Sequence, residues 1–286
     1  MTISAQCQML IDNELQLFKR EFELHYQAEE TKPENIGQPY LLHRPESKRG
    51  VLLIHGLMAA PEEVREWAEY LFDQGYTVYA PRMAGHGTTA QDLSNRTMEE
   101  WVGSVNRAHE ILKHCCDQIT VAGFSTGGAI ALQQAISKPD QFKALISISA
   151  PLKFKKFSAH FAEPVNHWNR VLTKLGTNKG KKEFVTNHAD NPHINYLKCP
   201  VNGIVQIKRL MRGVVKGLPS IRIPSLIVHG TEDPKVDVQS SRDIYQALTS
   251  QIKVHKEINF HLHGIIRGEV AKEVFNEVGD FLQSAH

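Results

Sequence analysis

Five residues, Gly123-Phe124-Ser125-Thr126-Gly127, set the tightest constraint on how this chain can fold. They separate a short, β-branched apolar run, Gln118-Ile119-Thr120-Val121-Ala122, from a run of small and apolar residues at 128–136 that stops before Pro139. The first reads as a buried strand and the second as a tightly packed helix. The pentapeptide must therefore turn the chain sharply from strand to helix with a serine at the apex. Such a turn strains the backbone at the serine, and a Cβ at either flanking glycine would crowd neighbouring elements. The helix that follows aims its free N–H groups and positive dipole end at the serine, where an anion could develop.

On its own the pentapeptide is weak evidence, because Gly and Ser are common and a turn without chemistry is the bland alternative. Its surroundings strengthen it. Strands are expected at 39–42, 51–55, 77–80, 118–122, 144–148, 225–229 and 252–254, and helices at 62–72, 97–113, 128–136, 238–248 and 270–282. Thr97 and Glu100 have the spacing of a capping box. Strand alternating with helix implies a parallel sheet covered on both faces. Residues 152–217 break the alternation with helix-like pieces, scattered histidines and aromatics, and the basic runs Lys153-Phe154-Lys155-Lys156 and Lys179-Gly180-Lys181-Lys182. This segment reads as an insertion over the carboxyl ends of the strands, where sites form. The lysines read as a solvated face, with steering of an anionic substrate or carrier as the sharper alternative.

With 286 residues, 41% of them hydrophobic, the chain can bury one sizeable α/β core with an insertion. A formal charge of +2 gives no global attraction to nucleic acid or acidic membranes. Cys7, Cys115, Cys116 and Cys199 lack metal-ligand spacing, and the adjacent pair fits no ordinary disulfide framework. They read as reduced thiols of a cytoplasmic protein. Met1-Thr2-Ile3-Ser4-Ala5-Gln6 has neither a basic nor an apolar signal region, and no run approaches a spanning helix, so a soluble, unsecreted chain is expected. Ile11, Leu15, Phe18 and Phe22 recur at helical spacing. The amphipathic helix they imply is expected to dock on its own domain or to pair two subunits in a homodimer; its acidic polar face argues against membrane adsorption.

A serine hydroxyl is a poor nucleophile at its free pKa, so a catalytic reading requires a base and a cradle for the oxyanion. An acid is expected on the loop after a later strand, where Gly230-Thr231-Glu232-Asp233-Pro234 lies. Asp233 is the best candidate, with Glu232 and Asp237 as neighbours and a turn-capping aspartate before Pro234 as the bland alternative. A base is expected between the last strand and the last helix, within Asn259-Phe260-His261-Leu262-His263-Gly264. His263 is favoured and His261 competes. The backbone N–H of Thr126 at the helix start supplies one oxyanion donor, and the loop His55-Gly56-Leu57-Met58 supplies a second from Leu57. Gly56 lets that loop turn toward the pocket, and His55 reads as a buttress.

These pieces together resemble the α/β-hydrolases, and within them the carboxylesterase and monoacylglycerol-lipase-like group. The matching residues are His55-Gly56-Leu57, Pro81-Arg82-Met83-Ala84-Gly85-His86-Gly87, Gly123 to Gly127, Gly230 with Asp233 and Val236, and His263 ahead of Phe281-Leu282. They follow the family order Ser, Asp, His and span about 39–282. The resemblance implies an α/β-hydrolase fold with a mostly parallel central sheet, helices on both faces and an inserted helical cap. The core would be 35–151 and 218–286, the cap 152–217, and 1–34 an N-terminal helical extension without counterpart in compact members. The family's Gly-His-Gly loop is structural, so His86 is not carried over as catalytic. The family usually places a small residue before its catalytic histidine, whereas Leu262 precedes His263 and Gly264 follows, which leaves His261 open. The implied chemistry is acyl transfer to Ser125 with His263 as base, Asp233 orienting it, and Leu57 and Thr126 holding the oxyanion, with no metal or organic cofactor. The implied substrate is a small-molecule acyl ester. A thioesterase acting on an acyl carrier, or a non-catalytic hydrolase-fold binding module, are the alternatives.

Overall fold

The computed structural model describes residues 3–155, 165–167, 169, 172–173 and 180–285. The central sheet is built from β1 (Tyr40–Leu42), β2 (Arg49–Ile54), β3 (Thr77–Ala80), β4 (Gln118–Phe124), β5 (Ala144–Ile148), β8 (Ser225–Gly230) and β9 (Lys253–Ile258), in the order β1-β3-β2-β4-β5-β8-β9. Every pairing is parallel except that of β1 with β3. The inner strands are buried along nearly their whole length, as expected where helices cover both faces.

Strand periodicity sorts the core into two layers. Leu52, Ile54 and Val121 join one cluster with Trp101 and Leu112 of α5 (Met98–Lys113), Ile130 and Leu132 of α6 (Thr126–Ser137) and Leu210 and Val214 of α7 (Val201–Gly217). Val51, Leu53, Ala122 and Phe124 face the other way, against Trp67 and Leu71 of α3 (Arg65–Asp73) and Val274, Val278 and Phe281 of α9 (Ala271–Ser284). Successive residues of one strand thus feed opposite layers. The capping box of α5 is formed: Glu100 N–H donates to Thr97 Oγ1 at 3.3 Å, and Thr97 N–H to Glu100 Oε2 at 2.8 Å.

Some elements differ from expectation. The helix expected at 62–72 opens as a 3-10 turn, Pro61–Val64, before α3 begins. β9 continues to Ile258, past the apolar residues that mark it, because as the outermost strand it is only half covered and carries Lys253, His255, Lys256 and Glu257. Two short helices, α2 (Glu34–Gly37) and α4 (Ala90–Ser94), carry no periodic signal.

Between β5 and β8 the chain forms more than helices. β6 (Phe184–Thr186) and β7 (Lys198–Pro200) pair antiparallel before α7 packs on α6. Of the basic runs, Lys153 pairs with Asp243 of α8 (Gln239–Ala247) at 2.7 Å, while Lys156 and Lys179 lie outside the described residues.

The N-terminal helix α1 (Ala5–His25) docks on its own domain. Cys7 and Phe18 are buried, and Cys7 Sγ lies 3.0 Å from Cys115 Sγ just beyond α5. Glu14 pairs with Arg107 at 2.5 Å; Glu21 pairs with the buried Arg82 and, at 3.1 Å, with Arg96. Of the expected stripe, Phe18 is buried beneath Arg82 and Ile11 packs against the core, so these two residues already have partners within the chain. Among the described residues no helix is long and apolar enough to cross a membrane.

Candidate active site

Ser125 stands between β4 and α6 with φ 53° and ψ −118°, a left-handed backbone that a non-glycine residue holds only when its surroundings over-determine it. Its N–H is tied to the Ile148 carbonyl at 2.8 Å. The glycines on either side are sterically required. A Cβ on Gly123 would meet the Gly127 carbonyl at 2.3 Å, and one on Gly127 would meet the Ile54 carbonyl oxygen at 2.1 Å. Strand, turn and helix thus pack too closely for any side chain at those positions, and the hydroxyl is presented at the amino end of α6.

The loop between β9 and α9 brings His263 to this hydroxyl. Its Nε2 lies 2.9 Å from Ser125 Oγ, and its Nδ1 lies 2.5 Å from Asp233 Oδ2. The carboxylate favours the tautomer with the proton on Nδ1, which leaves Nε2 free to accept the serine proton. The ring also packs 5.0 Å from that of Phe124. Asp233, on the loop after β8, is fully buried. Burial alone would raise its carboxyl, but His229, His263 and the Val236 N–H outweigh it and hold the group well below the usual carboxylate range. Oδ1 accepts the Lys235 and Val236 N–H groups at 2.8 and 3.0 Å. His229 Nε2 approaches Oδ2 to 3.3 Å off hydrogen-bond alignment, so we regard its contribution as weaker than that of His263.

The competing candidates are placed elsewhere. His261 is exposed, its ring tilted against that of Phe260 with centroids 5.1 Å apart. Glu232 is exposed, and Asp237 accepts the Gln239 N–H at 2.9 Å at the start of α8. His55 and His86 are fully buried, their rings 5.0 Å apart. His55 Nδ1 donates to the Gly56 carbonyl at 2.8 Å and its Nε2 accepts the Met83 N–H at 3.2 Å. Burial pushes the His55 imidazole down to about 4 and His86 well below the ordinary histidine range, so both are neutral buttresses of their loops.

Leu57 and Thr126, the candidate oxyanion donors, line one cavity of about 180 Å³ with Ser125 and His263. The loop that carries Leu57 is bent sharply, with Met58 at φ 63°, and the Met58 carbonyl accepts the Tyr196 N–H of the β5–β8 segment at 2.9 Å. The cavity wall mixes apolar Phe154, Val185 and Ile207 with polar Glu63, Asn187, Asp190, Asn195 and Lys235. Sequence reasoning missed Glu63 and His229; neither belongs to a motif, and only the folded chain brings them to the site. Among the described residues no group of three or more His, Cys, Asp or Glu side chains is placed to hold a metal ion.

A family profile described as "Serine aminopeptidase, S33" (Hydrolase_4) matches residues 45–270. The chain belongs to this family. This S33-family serine hydrolase is 32% identical over 204 residues to a thermostable monoacylglycerol lipase of Bacillus sp. (strain H-257), a match covering 71% of this chain and 78% of the relative. It is 25% identical over 236 residues to a carboxylesterase of Bacillus subtilis (strain 168), covering 82% and 92%. Among solved structures, one from a study of the metagenome-derived lipolytic enzymes LipS and LipT superposes with a TM-score of 0.77 at 23% identity, covering 89% of this chain and 99% of that one. The monoacylglycerol lipase of Paleococcus ferrophilus superposes with a TM-score of 0.72 at 20% identity, covering 87% and 98%. These superpositions establish the α/β-hydrolase fold of the S33 member described here.

Proposed function

We propose that the chain hydrolyses carboxylic esters of small alcohols through a Ser125–His263–Asp233 triad and an acyl-enzyme intermediate. The relay from Ser125 Oγ to His263 Nε2 at 2.9 Å, and from Nδ1 to Asp233 at 2.5 Å, carries this reading. His263 takes the Ser125 proton as Oγ attacks the carbonyl carbon, and Asp233 stabilises the imidazolium that forms. The Leu57 and Thr126 N–H groups receive the developing oxyanion. His263 then protonates the departing alkoxide, and water, deprotonated by the same imidazole, releases the acid and restores Ser125. The names of the Bacillus relatives favour an ester, and an acyl chain of monoacylglycerol type fits the apolar part of the cavity wall.

In this reading 35–151 and 218–286 form the catalytic core, joined by α7 at the end of the 152–217 insertion, whose Leu210 and Val214 pack in the core layer; the rest of the insertion is a cap, and 1–34 a strap across the loop after β3. Four free thiols fit a reducing, cytoplasmic setting. The test is turnover of a short p-nitrophenyl ester. Ser125→Ala should lose about 10⁴-fold or more in kcat while keeping the wild-type melting profile. Undiminished turnover in that variant would overturn the assignment.

A further inference from the structure

Glu63 is the buried carboxyl group of the cavity that the proton relay leaves unused. It is 6% exposed and lies in the 3-10 turn Pro61–Val64. Its Oε2 accepts the Gly56 N–H at 2.7 Å. Gly56 is confined between this carboxyl and the nucleophile: a Cβ there would stand 3.0 Å from Glu63 Oε2 and 3.4 Å from Ser125 Cβ.

The other site segments converge on the same point. Asn195 of the β5–β8 segment, Lys235 beside Asp233 and Arg267 beyond His263 all lie close enough to favour its charged form. Burial is the larger effect and pushes the carboxyl up to about 7. Arg267 also clamps the turn itself, its Nη1 donating to the Glu62 carbonyl at 2.6 Å and reaching that of Glu63 at 3.4 Å.

We infer that Glu63 is a positioning residue that holds the His55–Gly56 peptide, and with it the turn from which the Leu57 N–H is aimed at the oxyanion. The inference rests on the role proposed above for Ser125 and Leu57. A buried N–H without an acceptor is unfavourable, so a loop deprived of Glu63 turns to find another partner for Gly56. Glycine at position 56 offers little resistance to that rotation; the Gly56 carbonyl is still held by His55 Nδ1 at 2.8 Å, so the Leu57 N–H shifts by tilting about that remaining hydrogen bond. The function of Glu63 is to supply an acceptor at one position, and a neutral amide of the same length supplies the same acceptor.

The test compares wild type with Glu63→Ala, Glu63→Gln and Glu63→Asp on a short p-nitrophenyl ester, with fluorophosphonate labelling of Ser125 and the thermal midpoint measured in parallel. Glu63→Ala should lower kcat by roughly 10–100-fold, with KM within about twofold of wild type. Glu63→Gln should retain kcat within about threefold, because it keeps both length and acceptor, while Glu63→Asp, one methylene short, should fall with the alanine variant. Should Glu63→Ala fail to fold, the order of Gln above Asp carries the test. An alanine variant with wild-type kcat, a loss confined to KM, or Asp outperforming Gln would each overturn the inference. Absence of fluorophosphonate labelling in wild type would instead overturn the assignment of Ser125.

Discussion

Gly127 faces the carbonyl oxygen of Ile54 so closely that a β-carbon on the glycine would stand 2.1 Å from it. No rotamer change relieves this contact, because both partners are backbone. Gly127→Ala should therefore destabilise the chain by about 3 kcal/mol or more, read as a lower urea midpoint, alongside loss of turnover. A variant as stable as wild type would show that β2 and α6 are not packed as described.

The two histidines of the last loop separate cleanly. His261→Ala should retain wild-type kcat, since that ring is exposed and lies against Phe260, away from Ser125. His263→Ala should lose about 10⁴-fold or more in steady-state turnover of the same ester.

Two buried carboxyls should give opposite pH dependences of stability. The folded-state carboxyl of Asp233 is depressed, so its contribution is present above the unfolded value near 3.9 and is lost as pH falls through that value toward the lower folded one. The folded-state carboxyl of Glu63 is raised from 4.5 to about 7, so its neutral form favours folding below 4.5 and that advantage drains away as pH rises to 7. Glu63→Gln removes the second effect. Relative to wild type, the glutamine variant should be more stable at pH 8 than at pH 4 by roughly 3 kcal/mol, measured by chemical unfolding at the two pH values. A difference independent of pH would show that Glu63 titrates normally.

Arg82 is 5% exposed, and Glu21 of α1 is its carboxylate partner. Glu21→Ala leaves a buried guanidinium without that partner, which should cost about 3–5 kcal/mol of unfolding free energy. A change below about 1 kcal/mol would place the pair in the weak, solvated class.

The turn at Ser125 was legible in the sequence because the backbone there admits only certain residue types: two glycines that no Cβ can replace, between a β-branched run and a small-residue helix. The order of the strands placed Asp233 and the last-loop histidines near it. Spacing could not choose between His261 and His263, which lie two residues apart; the path of the loop decides which ring reaches Ser125 Oγ. β6 and β7 escaped notice because strands of three residues are too short to show a period of two. Glu63 looks in sequence like an ordinary acid in the first turn of a helix. Its hydrogen bond to Gly56, seven positions back, exists only once the 3-10 turn folds over the loop.

The outermost strands of the sheet carry a further consequence. β1 offers three residues, too few to template a new strand firmly, and β9 bears Lys253, Lys256 and Glu257, with Glu257 held by Arg242 at 2.6 Å and Lys256 by Glu277 at 3.0 Å. A neighbouring molecule seeking to extend the sheet would have to break those ion pairs and bury their charges. Both rims of the central sheet are thus poor templates for strand addition by a neighbouring native molecule.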